Sequence, residues 1–184
     1  MDAVFLGDSL TFGYGVPKER SWVNLISKSV DFSYLNKGVN GDTTAGMLSR
    51  IWRDVIQISP EYCFILAGTN DFLMNRPYES IKDNICLLQK ECEENNISTI
   101  LMIPPYIDKE KASCCWSSTP DYDLINESLE KLKNDFIKAI DLFSLTKSSF
   151  LSGQDIYFDG IHLNEKGNSL IAAHLLNLLS EIIN

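Results

Sequence analysis

Five short apolar runs punctuate the chain, at residues 2–6 (DAVFL), 32–36 (FSYLN), 62–67 (YCFILA), 98–103 (STILMI) and 136–141 (FIKAID). Each is too short for a core helix and mostly apolar, the pattern of strands covered on both faces. Between them, apolar residues recur every three or four positions, as on a helix with one buried face. Met47, Leu48, Ile51, Trp52 and Val55 form one such stripe, and Ile81, Ile85, Leu88 and Cys92 a second. The last runs through Leu170, Ile171, His174, Leu175, Leu178, Leu179 and Ile182. Thr119 before Pro120 has the form of a helix cap followed by proline at the first helical position.

Strand and helix alternate, so the pattern predicts an α/β protein: a three-layer α/β/α sandwich around a five-stranded parallel sheet, flavodoxin-like. There is no second apolar core, internal repeat or linker, and residues 1–184 read as a single domain. In such sheets, ligands bind in the crevice beyond the carboxyl ends of the strands. The loops leaving those ends therefore decide the chemistry.

Composition narrows the partners. The apolar fraction is 45%, ordinary for a globular chain, and the formal charge of −9 argues against a nucleic-acid footprint. No apolar run reaches the roughly 20 residues of a membrane-spanning helix, so no membrane insertion is expected. Asp2 stands where an export signal carries positive charge, and the apolar run after it is short. The five cysteines form no CxxC pair, and Cys63 and Cys92 fall in apolar patterns that suit buried, reduced thiols. A cytoplasmic protein is expected. Oligomeric state has no signature in the sequence.

Four polar loops follow the strands: "GDSLTFGYG" after the first, "GVNGDTT" after the second, "GTND" after the third, and "DGIHLN" beyond the fifth. Together they hold the parts of an acyl-transfer site. Ser9 follows a strand directly, where a tight turn relieved by Gly7 presents its hydroxyl to the crevice. A serine is a weak nucleophile until a base takes its proton. His162 is the base available, because the other histidine, His174, lies in an apolar helical stripe and reads as a core-edge residue. Asp159, three residues earlier, is placed to orient the imidazole; Asp155 is a weaker candidate. Gly41, just before a helix start, and Asn70 are donors for a developing oxyanion, with the Ser9 backbone N–H completing the set. Asp8, Asp42 and Asp71 read as caps and turn acceptors.

These four blocks, "GDSL" at 7–10, "NGDT" at 40–43, "GTND" at 68–71 and "DGIH" at 159–162, resemble the signature blocks of the SGNH, or GDSL, hydrolase family. The resemblance implies Ser9 as nucleophile, Asp159 and His162 as the rest of its triad, and Ser9, Gly41 and Asn70 as the oxyanion hole. It also implies ester hydrolysis through a seryl acyl-enzyme, without metal or organic cofactor, on a small-molecule ester. Ser9 does not sit in a G-x-S-x-G elbow, since Thr11 occupies its last position, which separates the chain from the α/β-hydrolases. Two other readings stand beside this one. One is a metal-dependent phosphoesterase built on Asp8, Asp71 and Asp159; the other is a flavodoxin-like binding module without turnover.

Substrate choice is less constrained. The loop at 106–123 is long, follows the fourth strand and is expected to overhang the crevice as a lid. Trp116 within it, with Phe12, Tyr14 and Tyr157, is placed near the catalytic positions as a substrate wall. The family resemblance spans lipases, lysophospholipases, arylesterases and deacetylases of sugars. No long apolar surface stretch suggests an interfacial lipase, and a small-acyl ester, such as an acetyl ester, is preferred. Adjacent Cys114 and Cys115 have no assigned role.

Overall fold

A computed structural model describes residues 1–30, 33–117 and 120–182, the side chains of 179–182 excepted. Five parallel strands form one sheet: β1 (Ala3–Gly7), β2 (Tyr34–Gly38), β3 (Tyr62–Leu66), β4 (Ser98–Ile103) and β5 (Ile140–Asp141). Their spatial order is β2-β1-β3-β4-β5, the flavodoxin-like order expected. Gly7 pairs with Gly38 on one side and with Leu66 on the other, so β1, β2 and β3 end level. From β1 the chain turns outward to β2 and then crosses back to β3. The loops after β1 and β3 diverge there and open a crevice.

Nine helices cover this sheet among the described residues. They are α1 (Ser9–Phe12), α2 (Trp22–Ser27), α3 (Thr44–Ile51), α4 (Thr69–Leu73), α5 (Tyr78–Glu94), α6 (Lys109–Cys115), α7 (Tyr122–Asp135), α8 (Leu142–Leu151) and α9 (Glu165–Ile182). Alternation along the strands sorts the core into two layers. Val4, Leu6, Cys63 and Ile65 pack against Met47 of α3, Ile81 and Ile85 of α5, and Leu129 of α7. Phe5, Phe64 and Leu66 pack on the opposite face against Trp22 and Ile26 of α2 and Ile171 and Leu175 of α9. Fully buried Trp22 anchors that face. Its indole donates to Leu10 O at 2.8 Å, and its backbone N–H donates to Asn168 Oδ1 of α9 at 3.0 Å. Among the described residues, no helix is long and apolar enough to cross a membrane.

Several sequence expectations need correction. The run 136–141 supplies only two strand residues, because Phe136 closes α7 and Ile137 points to solvent. The second strand starts at Tyr34 rather than at Phe32, and Phe32 lies outside the described residues. Thr119 also lies outside them; α7 is capped by Asp121, whose carboxylate accepts from Leu124 N–H at 3.0 Å. The stripe from Met47 to Val55 breaks at Trp52, which is exposed. There α3 passes into a π-helical turn, Trp52–Ile56, and the wider turn rotates Trp52 outward while Val55 and Ile56 stay buried. The segment 106–123 contains α6, a helix of which only Ala112 is buried, so it left no periodic trace. Helix α8, between β5 and the "DGIH" loop, was not anticipated.

Candidate active site

The turn after β1 is tight for steric reasons. A side chain at residue 7 would meet Thr11 Oγ1 at 2.1 Å and Leu66 O at 2.8 Å, so Gly7 supplies room rather than an unusual backbone angle. Asp8 caps α1 by accepting the Leu10 N–H at 2.8 Å, and Ser9 opens the helix with its hydroxyl turned into the crevice.

The histidine arrives from the far side on a braced loop. Tyr157 and Leu163 form an antiparallel bridge, and the Phe158 N–H donates to His162 O at 2.8 Å. Gly160 has φ +91°, and a Cβ there would meet Ala112 N at 2.2 Å, so this loop lies directly against α6. Asp159 folds back on the turn. Its Oδ1 accepts the N–H groups of Ile161 (3.0 Å) and His162 (2.7 Å), and its Oδ2 lies 2.7 Å from His162 Nδ1. The other ring nitrogen, Nε2, is 2.8 Å from Ser9 Oγ. A carboxylate only accepts, so the neutral ring carries its proton on Nδ1 and turns the Nε2 lone pair toward the Ser9 hydroxyl. Burial alone would raise the Asp159 carboxyl. The bonds from the His162 ring and from the His162 and Ile161 N–H groups outweigh it and hold Asp159 below the ordinary value.

The oxyanion-side residues come from the ends of β2 and β3. Gly41 has φ +77°, a left-handed conformation natural to glycine, and open space where a side chain would stand. Neither its N–H nor that of Ser9 has a hydrogen-bond partner among the described residues. The Asn70 amide nitrogen reaches the same region but is engaged, donating to Asp8 Oδ2 (3.1 Å) and to Asp42 O (2.9 Å). Asp71 accepts from both the N–H and the hydroxyl of Thr44, each at 2.8 Å, and so ties α3 to the loop after β3. Asp42 is held by Arg50, whose Nε lies 2.7 Å from its Oδ2. The same guanidinium donates to Lys37 O, Asp54 Oδ2 and Gly7 O at 2.9–3.0 Å, locking the ends of β1 and β2 to the Gly41 loop.

A cavity of about 250 Å³ lies at Ser9 and His162, walled by Asn70, Trp116, Tyr122 and Ile161. It shares Leu73, Met74 and Pro120 with an open groove of about 700 Å³ running between the starts of α5 and α7. Two aromatic rings flank the imidazole, Tyr14 at 4.5 Å and Trp116 at 5.9 Å between centroids.

Residues 5–170 match the GDSL-like Lipase/Acylhydrolase family. The chain belongs to this family. Among solved structures it is similar to a member of the lipolytic G-D-S-L family from Veillonella parvula, with TM-score 0.81, 26% identity and 98% of each chain covered. It is also similar to the psychrotrophic esterase EstA from Pseudoalteromonas sp., solved inhibited by monoethylphosphonate, with TM-score 0.74, 25% identity, and 100% of this chain and 98% of that one covered. Among curated proteins, an arylesterase of Vibrio mimicus is 28% identical over 123 residues, which cover 62% of either chain. The chain thus spans less than two thirds of that relative's length.

Within this GDSL-family fold, the structure brings Ser9, Asp159 and His162 into contact and gathers Gly41 and Asn70 at the neighbouring loops. Asp155 stays outside the site, paired with Lys111 at 3.0 Å. Two predicted wall residues are elsewhere. Tyr157 is buried beneath the loop with its hydroxyl donating to Tyr106 O, because the bridge to Leu163 turns it inward. Phe12 is exposed and lines no part of the cavity; its backbone packs so closely on β2 that a Cβ at Gly38 would strike it. Asp8, Asp71 and Asp159 do not converge as metal ligands, and no set of three ligating side chains clusters among the described residues. Sequence reading missed Tyr122, Leu73, Met74 and Arg50. Tyr122 had a signal, standing three residues before Ile125 on the α7 stripe.

Proposed function

We propose that this chain is a serine esterase that hydrolyses carboxylic esters through a seryl acyl-enzyme. The observation that carries the reading is the linked set Ser9 Oγ–His162 Nε2 (2.8 Å) and His162 Nδ1–Asp159 Oδ2 (2.7 Å). Ser9 Oγ attacks the acyl carbon while its proton passes to Nε2. Asp159 keeps the Nδ1 proton in place and stabilises the imidazolium. The substrate oxygen, now negative, takes hydrogen bonds from the N–H groups of Ser9 and Gly41 and from the Asn70 amide. Collapse of the tetrahedral species expels the alcohol, which receives the proton from Nε2. Water, deprotonated by His162, then attacks the acyl-serine and releases the acid.

The cavity at Ser9 suits a small acyl group, and the adjoining groove gives room for the larger alcohol. A small-acyl ester of a bulkier alcohol is therefore the proposed substrate class. Ser9→Ala is expected to abolish hydrolysis of p-nitrophenyl acetate with an unchanged circular dichroism spectrum, and a serine-reactive phosphonate to label Ser9 alone by peptide mass spectrometry. Retained turnover in Ser9→Ala would remove the covalent mechanism. Faster hydrolysis of p-nitrophenyl decanoate than of the acetate would remove the small-acyl assignment.

A further inference from the structure

Neither amide proton of Asn70 is idle: one goes to Asp8 Oδ2 and the other to Asp42 O. A primary amide exchanges its oxygen and nitrogen by a half turn about its last torsion, with almost no change of shape. Only its neighbours decide which end faces the crevice. Above about pH 7, where Asp8 is ionised, both neighbours are pure acceptors, a carboxylate and a main-chain carbonyl, so the nitrogen is selected. Asp8 is itself fixed, 1% exposed, with its second oxygen bound by the Leu10 N–H.

Capping α1 needs only one oxygen, and serine, threonine or asparagine would serve it equally. A second oxygen on a buried acid adds nothing to the cap and is expensive to desolvate. Its one described contact is Asn70.

We infer that Asp8 is the positioning residue of the oxyanion hole: its Oδ2 holds the Asn70 amide with nitrogen forward and yields that N–H to the substrate oxygen as negative charge develops there. The inference rests on the Ser9 mechanism. It gives the acid of "GDSL" a task beyond the turn, and it divides the hole into two kinds of donor. The N–H groups of Ser9 and Gly41 are unoccupied in advance, whereas the Asn70 N–H is exchanged from one anionic acceptor to another. That exchange favours the transition state over the ground state, because a neutral ester carbonyl competes poorly with a carboxylate for the same proton.

Asp8→Asn isolates this role. It preserves size and the acceptor for Leu10 N–H, but it offers Asn70 an amide donor and so removes the preference for nitrogen forward. With p-nitrophenyl acetate at about pH 8.5, where Asp8 is ionised, kcat is expected to fall about tenfold or more while KM stays within about twofold, given that losing a whole oxyanion donor costs about 100- to 1,000-fold. In an Asn70→Ala background, the same substitution is expected to lower kcat by less than about twofold. Asp8→Ser, which keeps the cap and is too short to reach Asn70, is expected to show the same dependence on background. Equal losses with and without Asn70 would make Asp8 merely structural and overturn the inference, as would an Asp8→Asn kcat within twofold of the parent. Phosphonate labelling of Ser9 in the parent protein separates two failures. No label overturns the Ser9 mechanism and this inference with it, whereas a label with equal losses overturns the inference alone.

Discussion

Asp8→Asn has a second consequence, in stability rather than rate, whose sign and size follow from the burial of the carboxyl. Burial pushes Asp8 from the ordinary 3.8 up to about 7, against the pull of the Leu10 N–H and His162. Between those two pH values the folded chain holds a proton that the unfolded chain has released. Folding stability therefore falls as pH rises through this window; the loss is absent well below 3.8 and complete above 7. At about 1.36 kcal/mol per pH unit, the whole effect is about 4 kcal/mol. Roughly 2.5 kcal/mol of it accrues between pH 5 and pH 8. Asparagine cannot ionise and escapes this loss. Thermal melts of parent and variant at pH 5 and pH 8 are the assay, since groups common to both cancel in the difference. For a chain of this size, 1 kcal/mol moves Tm by about 2–4 °C. The variant is expected to gain roughly 5–10 °C on the parent in going from pH 5 to pH 8. An unchanged Tm difference at the two pH values would refute the reasoning.

Asp159 titrates with the opposite sign. Its carboxyl is held below the ordinary value, so its contribution is present above about pH 4 and is lost as pH falls through the folded value. Asp159→Asn is expected to be less stable than the parent at pH 7, with the gap closing as pH falls below the ordinary carboxylate range, and to lose kcat through the wrong imidazole tautomer; a gap independent of pH would contradict the assignment. Arg50→Leu leaves the half-buried Asp42 without its cation, while Asp54 keeps Arg53 and Lys37, and is expected to cost about 1–3 kcal/mol in urea unfolding. A loss under 1 kcal/mol would mean that the network is solvated.

The centre of the sheet was legible because β1 and β3 are buried on both faces, and burial on both faces writes an unbroken apolar run. β5 is short and lies at the sheet edge, and most of the run predicted for it, 136–139, is the cap and turn that follow α7. Helices lying half in water, such as α6, carry too few apolar positions to announce themselves. The site was legible for a different reason: Ser9, Gly41 and Asn70 stand in short glycine-bearing segments just after β1, β2 and β3, and His162 in a glycine-bearing turn after α8, where chemistry and backbone geometry constrain each residue together. Tyr157 was misplaced because adjacency in sequence to Asp159 says nothing about which side of a loop a ring faces. Arg50 was hidden among the apolar residues of a helix stripe. Its importance lies in four partners scattered from Gly7 to Asp54, which no local pattern records.

That guanidinium has a practical meaning for anyone recombining such chains. One planar fork joins the serine turn, the tip of β2 and the Gly41 loop, and a lysine has no equivalent reach in several directions at once. The two loops are therefore one module rather than two. A chimera that imports either of them from a relative must bring residues 42, 50 and 54 along, or it will inherit a well-formed serine facing a displaced glycine.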